Sequence, residues 1–339
     1  MQNPSWGIVA TVNEPLPLIA SFVAHYLDIG ASEIHLFFDA PFDEIQDAIG
    51  HLPQVKTYFT DNAFYKSVGR RSFKHLNLKQ MVNANHAYAT TEVDWLLLLD
   101  ADEFLESDDF AAFLAQQPEN VGAVRLINQE RAYRKGMPIQ GIFDGVGIEH
   151  NKFTKRWVRS SLDAENEAFL INGVLGHCAG KSVVRTGYDA EMGIHSPRFI
   201  KGADVVWKPG VLLHHFDGMT PLHWAAKLLR YARKNMFVDG REKRTALNRY
   251  NQVAFLKEHG VTPQAALTLH ERLRVLPGNN IGLRERFGLV HNIGIDPGAA
   301  IKRWLPHLDI DLSAEHFDAL LAERDPHFAE WLYATQHAA

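Results

Sequence analysis

Trp95-Leu96-Leu97-Leu98-Leu99-Asp100-Ala101-Asp102-Glu103-Phe104 is the stretch that decides how this chain folds. An apolar run of strand length stops abruptly at three carboxylates. A short continuous apolar run, without alternation, predicts a strand buried on both faces of a parallel sheet. The carboxyl ends of such strands form the rim where open α/β sheets bind ligands. Asp100 and Asp102 are two apart, so in an extended strand they share a face. Carboxylates this close repel, and a divalent cation between them is the usual remedy. The run therefore predicts a metal site at the rim of a sheet.

The flanking sequence supplies the rest of that sheet. Residues 8–12, 33–38, 55–59 and 121–127 read as further strands. Helical patterns over 18–29 (stopped by Gly30), 42–49 and from Ser72 toward Thr91 separate the earlier strands. This alternation predicts an α/β fold with right-handed crossovers. From Asn128 to Gly218 the texture changes: glycines and charges are frequent, and the strands (181–185, 193–195, 211–213) are shorter. Long irregular stretches of this kind often form binding sites. The basic run Lys152–Arg159 reads as a solvated surface strand or as a partner for a phosphorylated ligand. Thr220-Pro221, Thr262-Pro263, Asp296-Pro297 and Asp325-Pro326 each place a capping residue before a proline, a helix-start signal. The expected organisation is a catalytic domain over 1–240, in halves of about 1–127 and 128–240. A C-terminal helical region over 241–339 completes it.

Bulk properties narrow the function classes. At 339 residues, 46% hydrophobic and 22% charged, the chain can bury a large core. A net charge of -5 gives no sign of the concentrated basic face that nucleic-acid binding requires. Cys178 is the single cysteine, so no intramolecular disulfide can form. The first residues lack a signal-peptide pattern, and no apolar run reaches membrane-span length. A cytoplasmic protein is expected, with peripheral membrane contact left open.

Polar residues follow several strands: Thr11, Asn13 and Glu14 the first, Asp39 the second, Asp100 and Asp102 the fourth. In a doubly wound sheet these ends converge on one cleft. Asp and Asn after strands are also ordinary turn residues, so the convergence matters more than any one of them. Neither G-x-G-x-x-G nor G-x-x-x-x-G-K-[ST] occurs near the first strand, which argues against a dinucleotide-binding or P-loop protein. Phosphates bound here need another neutralising device, and a metal on Asp100 and Asp102 supplies one.

These residues resemble family-2-like glycosyltransferases. The resemblance lies in Thr11-Val12-Asn13-Glu14, in Phe22 to Tyr26 with Ile29-Gly30-Ala31, and in Phe38-Asp39. It continues through Gln80, Asn83 and Asn85, and above all through Asp100-Ala101-Asp102-Glu103-Phe104, which looks like the family's D-x-D in a D-x-D-E-F form. It covers roughly the first two-thirds of the chain and is loose from Asn128 to Gly180. It implies a GT-A (Rossmann-like) fold, with a mixed, mainly parallel sheet flanked by helices and a C-terminal helical annex. It also implies a nucleotide-diphosphate sugar donor, such as a UDP-sugar, and a glycan or lipid-linked acceptor. By this resemblance Thr11, Asn13 and Glu14 at the end of the first strand, together with Asp39, contact the nucleoside, and Arg70 or Gln80 reaches the base. Asp102 binds Mn2+ or Mg2+ directly, and Asp100 binds the metal or the ribose.

The second half offers weaker candidates. In Leu212-Leu213-His214-His215-Phe216-Asp217-Gly218, His215 is placed to complete a mixed nitrogen and oxygen metal set. His195 and Lys181 are candidates for the donor phosphates. An inverting transferase needs a general base; Glu149, Asp163, Asp189 and Glu191 are available, with Glu191 and Glu149 carried forward. Two other readings stay open. A sugar nucleotidyltransferase shares the metal carboxylates, but Asn13-Glu14-Pro15 stands where its Gly-rich basic loop would be. A non-catalytic carbohydrate-binding or scaffold protein is the other, against which the intact Asp100/Asp102 pair speaks.

Overall fold

The structure, a computed structural model, describes residues 3–70, 75–151, 156–163, 165–208, 210–236 and 246–337. The expected Ser72 cap and the Lys152–Lys155 part of the basic run lie outside them. The chain forms two compact units. One comprises Met1–Ile127, Ala179–Leu213 and Ile295–Ile310, the other Asn128–Cys178, His214–Gly294 and Asp311–Ala339.

The first unit is built on a seven-stranded mixed sheet. Its strands are β1 (Trp6–Val12), β2 (Glu33–Phe38), β3 (Val55–Phe59), β4 (Trp95–Leu99), β5 (Val121–Leu126), β6 (Lys181–Arg185) and β7 (Asp204–Trp207). Their order across the sheet is β7-β5-β6-β4-β1-β2-β3. The pairs β1–β2, β1–β4, β2–β3 and β5–β7 are parallel, and β6 runs antiparallel to both β4 and β5. This is the α/β class with a mainly parallel sheet expected from the sequence. Every residue of β1, β2 and β4 is buried. That is why β4 reads as a continuous apolar run rather than an alternating one.

Two helices of this unit matter most for the rim. α1 (Leu16–Asp28) begins at a proline and gives way to Gly30, whose φ of +94° suits a residue without a Cβ. α2 (Leu76–Thr90) buries Gln80, Asn83, Ala84 and Ala87, the i, i+3, i+4, i+7 stripe of a helix laid on a sheet. Ala84 and Ala87 pack with Val9, Phe37, Leu96, Leu98, Ala123 and Val184 in one core cluster. Its two polar members face the sheet as well, and they belong to the site. The strand Glu103–Glu106 is tied to α1, whose Tyr26 hydroxyl donates to the Glu103 carbonyl (2.9 Å) and accepts from the Leu105 amide (3.0 Å).

In the second unit the strand Asn128–Arg134 pairs antiparallel with Val146–Glu149, which in turn pairs antiparallel with Val290–Asn292. Three helices, α3 (Pro221–Arg233), α4 (Leu247–His259) and α5 (Pro263–Arg274), share a core around Trp224, Leu228, Val253, Leu256 and Leu269.

Three local expectations differ from the structure. The described part of the basic run starts a helix, Arg156–Asp163, not a surface strand. Residues 193–195 are not a strand; the paired segments there are Ala190–Glu191 and Phe199–Ile200. Asp100 and Asp102 do not extend β4. The chain turns at Ala101–Asp102, the Glu103 amide donating to the Asp100 carbonyl (3.1 Å) and the Asp100 amide to Glu103 Oε2 (2.9 Å). On this turn the two aspartates no longer lie along one face of a strand.

Candidate active site

The site is assembled in the first unit, at the carboxyl ends of β1, β2 and β4. In the parallel register Val12 lies beside Phe38, and Ala10 beside Leu99. The residues that follow these positions therefore come to the same rim: Thr11 at the end of β1, Asp39 after β2 and Asp100 after β4. One helix ties all three. From α2, Lys79 Nζ donates to Asp39 Oδ2 (2.8 Å), Gln80 Nε2 donates to Asp100 Oδ1, and Asn83 Nδ2 donates to Thr11 Oγ1 (2.8 Å). Thr60 Oγ1 holds the other Asp39 oxygen (2.8 Å).

The opposite side of Asp100 is held by Lys181. Because β6 runs antiparallel to β4, with Val183 beside Leu97, its first residue arrives at the carboxyl end of β4. Gly180 makes that entry possible: its φ is +66°, and a Cβ there would collide with the Leu126 carbonyl. Lys181 Nζ lies 2.9 Å from Asp100 Oδ2 and 3.1 Å from Glu103 Oε2. The lysine side chain is 1% exposed, that of Glu103 0% and that of Asp100 33%. Burial opposes the lysine's charge, but Asp100 and Glu103 outweigh it and hold the ammonium firmly protonated. His195 is pinned through Nδ1 to the Gly180 carbonyl (2.9 Å). Burial, reinforced by Lys181, lowers its pKa and keeps the ring neutral.

Asp102 is half-buried on the turn, and Asn13 is exposed at the end of β1, where its amide donates to Glu14 Oε2 (2.6 Å). Arg70 and Glu191 line a cavity of about 470 Å3 together with Met81, His86 and Arg198. Within it Arg198 pairs with Glu191 at 2.7 Å. Thr11, Asn13, Glu14, Asp39, Arg70, Gln80, Asp100, Asp102, Lys181, Glu191 and His195 thus all belong to the first unit.

Glu149 and the expected third metal ligand, His215, belong to the second unit. Glu149 Oε2 meets His291 Nε2 at 3.2 Å. His215 Nδ1 meets Glu130 Oε1 at 2.7 Å within a buried charge network. Of the other base candidates, Asp163 is bound by Arg284 (2.5 Å) and Asn151 (2.6 Å), and Asp189 is exposed. Among the described residues no three His, Cys, Asp or Glu side chains are grouped to hold a metal ion.

The carboxylates nevertheless suit a hard divalent cation. Asp100, Asp102, Glu103 and Lys181 together carry two negative charges. The donors are hard oxygens, the type that Mg2+ and Mn2+ take. Sequence reasoning passed over Lys79 and Glu103. Lys79 neighbours Gln80 on α2 and was hidden by its ordinary surface character. Glu103 was read as part of a motif without a role of its own.

No protein-family model matches the sequence, and no curated protein is similar to it in sequence. Among solved structures, the chain is similar to HddC from Yersinia pseudotuberculosis (12% identity, TM-score 0.33, 61% of this chain and 92% of that one). It is similar to residues 1–349 of S. aureus TarS (11% identity, TM-score 0.31, 74% and 72%). A third is the galactosyltransferase LgtC in complex with donor and acceptor sugar analogues (10% identity, TM-score 0.26, 53% and 57%). These superpositions are too loose to carry an activity across. Among the described residues no helix is long and apolar enough to cross a membrane.

Proposed function

We propose that this chain is a glycosyltransferase that takes a sugar from a nucleotide-diphosphate sugar, a UDP-sugar being the first candidate, and passes it to a hydroxyl of a glycan or lipid-linked acceptor. The observation that carries the reading is the tie made by α2. Lys79, Gln80 and Asn83 fix Asp39, Asp100 and Thr11 at the ends of three neighbouring strands. A pocket for a nucleoside diphosphate needs polar groups for the nucleoside and a cation for the phosphates at one rim. Thr11, Asn13 and Asp39 supply the first, and Asp102 is the residue to hold the second.

In such a transfer the acceptor oxygen bonds to the anomeric carbon, the bond from that carbon to the diphosphate oxygen breaks, and the nucleoside diphosphate leaves. A bound Mg2+ or Mn2+ would supply positive charge to the departing diphosphate. This chain's residues position the donor: Asp39 and Thr11 at the nucleoside, the Asp100–Asp102 turn at the diphosphate. Glu191, beside Arg198 in the 470 Å3 cavity, is the first-unit candidate to take the acceptor's proton. Glu149 is the candidate in the second unit.

The test is thermal unfolding with UDP, GDP or CDP, each without metal, with MnCl2 and with MgCl2. Ligand linkage stabilises the folded chain by about 2.7 kcal/mol at a hundredfold excess over Kd. A rise in Tm is expected with one diphosphate, only in the presence of metal, and is expected to disappear in Asp102→Asn. If no nucleotide raises Tm with either metal, the reading fails.

A further inference from the structure

We infer that the cavity of about 470 Å3 along α2 takes an acceptor in which an anionic head is joined to an apolar chain, a lipid phosphate in chemical class rather than a free glycan. The inference rests on the transferase reading and narrows its acceptor. α2 carries two stripes of side chains. Gln80, Asn83, Ala84 and Ala87 form the buried one. Leu78, Met81, Val82 and Asn85 repeat the same i, i+3, i+4, i+7 spacing on the opposite side of the helix, and all four line the cavity. A helix laid on a sheet ordinarily turns a polar side outward. Here three of the four outward residues are apolar. Met81 and Val82 are half-buried and Leu78 is 38% exposed, so the fold covers this stripe only in part.

The charges of the lining call for an anion. Two guanidiniums, Arg70 and Arg198, stand against one carboxylate, Glu191, which leaves one positive charge in excess. Burial lowers the His86 pKa and keeps that ring neutral, so it does not change the balance. A phosphate is the anion that guanidinium groups hold best. The same lining suits a sugar ring poorly, because each hydroxyl a sugar buries needs a partner. The one amide side chain there is already engaged. Asn85 Nδ2 donates to the Met81 and Met192 carbonyls (2.7 and 3.1 Å), and its Oδ1 accepts from the Met192 amide (2.9 Å). His86 packs edge-on against Phe37, Tyr58 and Phe64. What remains is an apolar wall, to which Val68 adds, beside an excess of positive charge. The volume falls in the range of about 300–1,000 Å3 usual for small-molecule sites.

Calorimetric titration of the full chain, without nucleotide or metal, tests this apart from activity. The probes are octyl phosphate below its micelle concentration, 1-octanol, inorganic phosphate and maltotriose. Octyl phosphate is expected to bind at least about tenfold tighter than octanol or inorganic phosphate. From hexyl to octyl phosphate the affinity should rise by up to about fourfold per methylene, as burial of each CH2 implies. Val82→Asp sets a carboxylate in the apolar stripe and is expected to weaken octyl phosphate about tenfold or more. Arg70→Gln is expected to weaken octyl phosphate about threefold or more and to leave octanol binding unchanged. Equal affinity for octyl phosphate and inorganic phosphate would overturn the inference. So would octyl phosphate binding that survives Val82→Asp, or maltotriose binding that Val82→Asp abolishes. Should Val82→Asp fail to fold, Arg70→Gln and the chain-length series decide. Octyl phosphate binding without any nucleotide effect on Tm would leave the cavity an amphiphile site and defeat the transferase reading. A nucleotide effect without octyl phosphate binding would do the reverse.

Discussion

Asp217 shows what a single residue carries in the second unit. Its side chain is fully buried, and three cations converge on it: Lys227 and Arg249 at 2.6 Å and Arg274 at 3.1 Å. Arg274 also lies 3.6 Å from Glu130 and donates to the Arg131 carbonyl, so it links two carboxylates to a strand. Burial would raise the Asp217 pKa, but Arg249, Lys227 and Arg274 outweigh it and hold the carboxyl well below its usual range. Replacing one partner of such a pair leaves the other charges uncompensated. Asp217→Asn is expected to cost about 3–5 kcal/mol, read from the urea midpoint. A loss under about 1 kcal/mol, the range of exposed pairs, would show that water reaches this cluster. Little of this network is legible in the sequence. Asp217 follows His215-Phe216 and draws attention, but Arg249 and Arg274 lie far along the chain in helices with no motif. By contrast, Asp100 and Asp102 announce themselves, because the apolar run before them has nowhere polar to go until it ends. Lys181 falls between. Its charge is visible, but its place beside Asp100 depends on an antiparallel strand that local patterning does not reveal.

At the scale of elements, the sequence speaks most clearly where a helix begins. Thr220, Thr262, Asp296 and Asp325 each accept a backbone amide with the side chain, and each precedes a proline that opens a helix. The signal is local chemistry, an orphan amide satisfied by an adjacent oxygen, so no tertiary knowledge is needed. The expectation fails where tertiary context decides instead. The strand expected at 193–195 needs a partner, and the pairing there is between Ala190–Glu191 and Phe199–Ile200. Thr220 does more than cap α3: its hydroxyl accepts from the His223 amide (2.9 Å) and donates to Asp318 Oδ1 (2.5 Å). Burial pushes the Asp318 carboxyl up to about 6, and the Thr220 hydroxyl opposes that rise. Thr220→Ala removes both services. The lost cap is worth about 1 kcal/mol, and the stranded carboxylate adds to it at neutral pH. Thr220→Ser should restore most of the loss. Equal urea midpoints for the alanine variant and wild type at pH 7.5 would remove the cap from the account. Asp318 also sets a sign. With a raised folded pKa it costs stability above about pH 6, and that cost fades on acidification, so the Thr220→Ala penalty should shrink toward pH 5.

Across the whole molecule, buried titratable groups mostly push the other way. Burial opposes the charge of Glu130, but His215 and then Arg274 outweigh it and hold the carboxyl at about 2. Glu33 is likewise brought to about 2 against burial, by hydrogen bonds from Thr91, His35 and Lys56. Asp217 is lowered further still. For these carboxylates the unfolded chain binds more protons between the unfolded pKa near 4 and the folded value, so their contribution is complete above about pH 5 and is lost on further acidification. Burial also lowers His35, His86, His195 and His270, and with help from Lys227 and Arg230 it brings His223 to about 3. These rings are neutral when folded and take up protons when unfolded, so they favour unfolding as pH drops below about 6.5. Three carboxylates and five histidines therefore act in one direction, and Asp318 acts in the other. Stability, measured as the urea midpoint in buffers of equal ionic strength, is expected to fall steadily from pH 7 to pH 4. The slope should begin near pH 6.5, where the histidines contribute against Asp318, and steepen below pH 5 as the other carboxylates join. A midpoint that stays level between pH 7 and pH 5 would mean that these imidazoles are hydrated enough to titrate as they do in the unfolded chain.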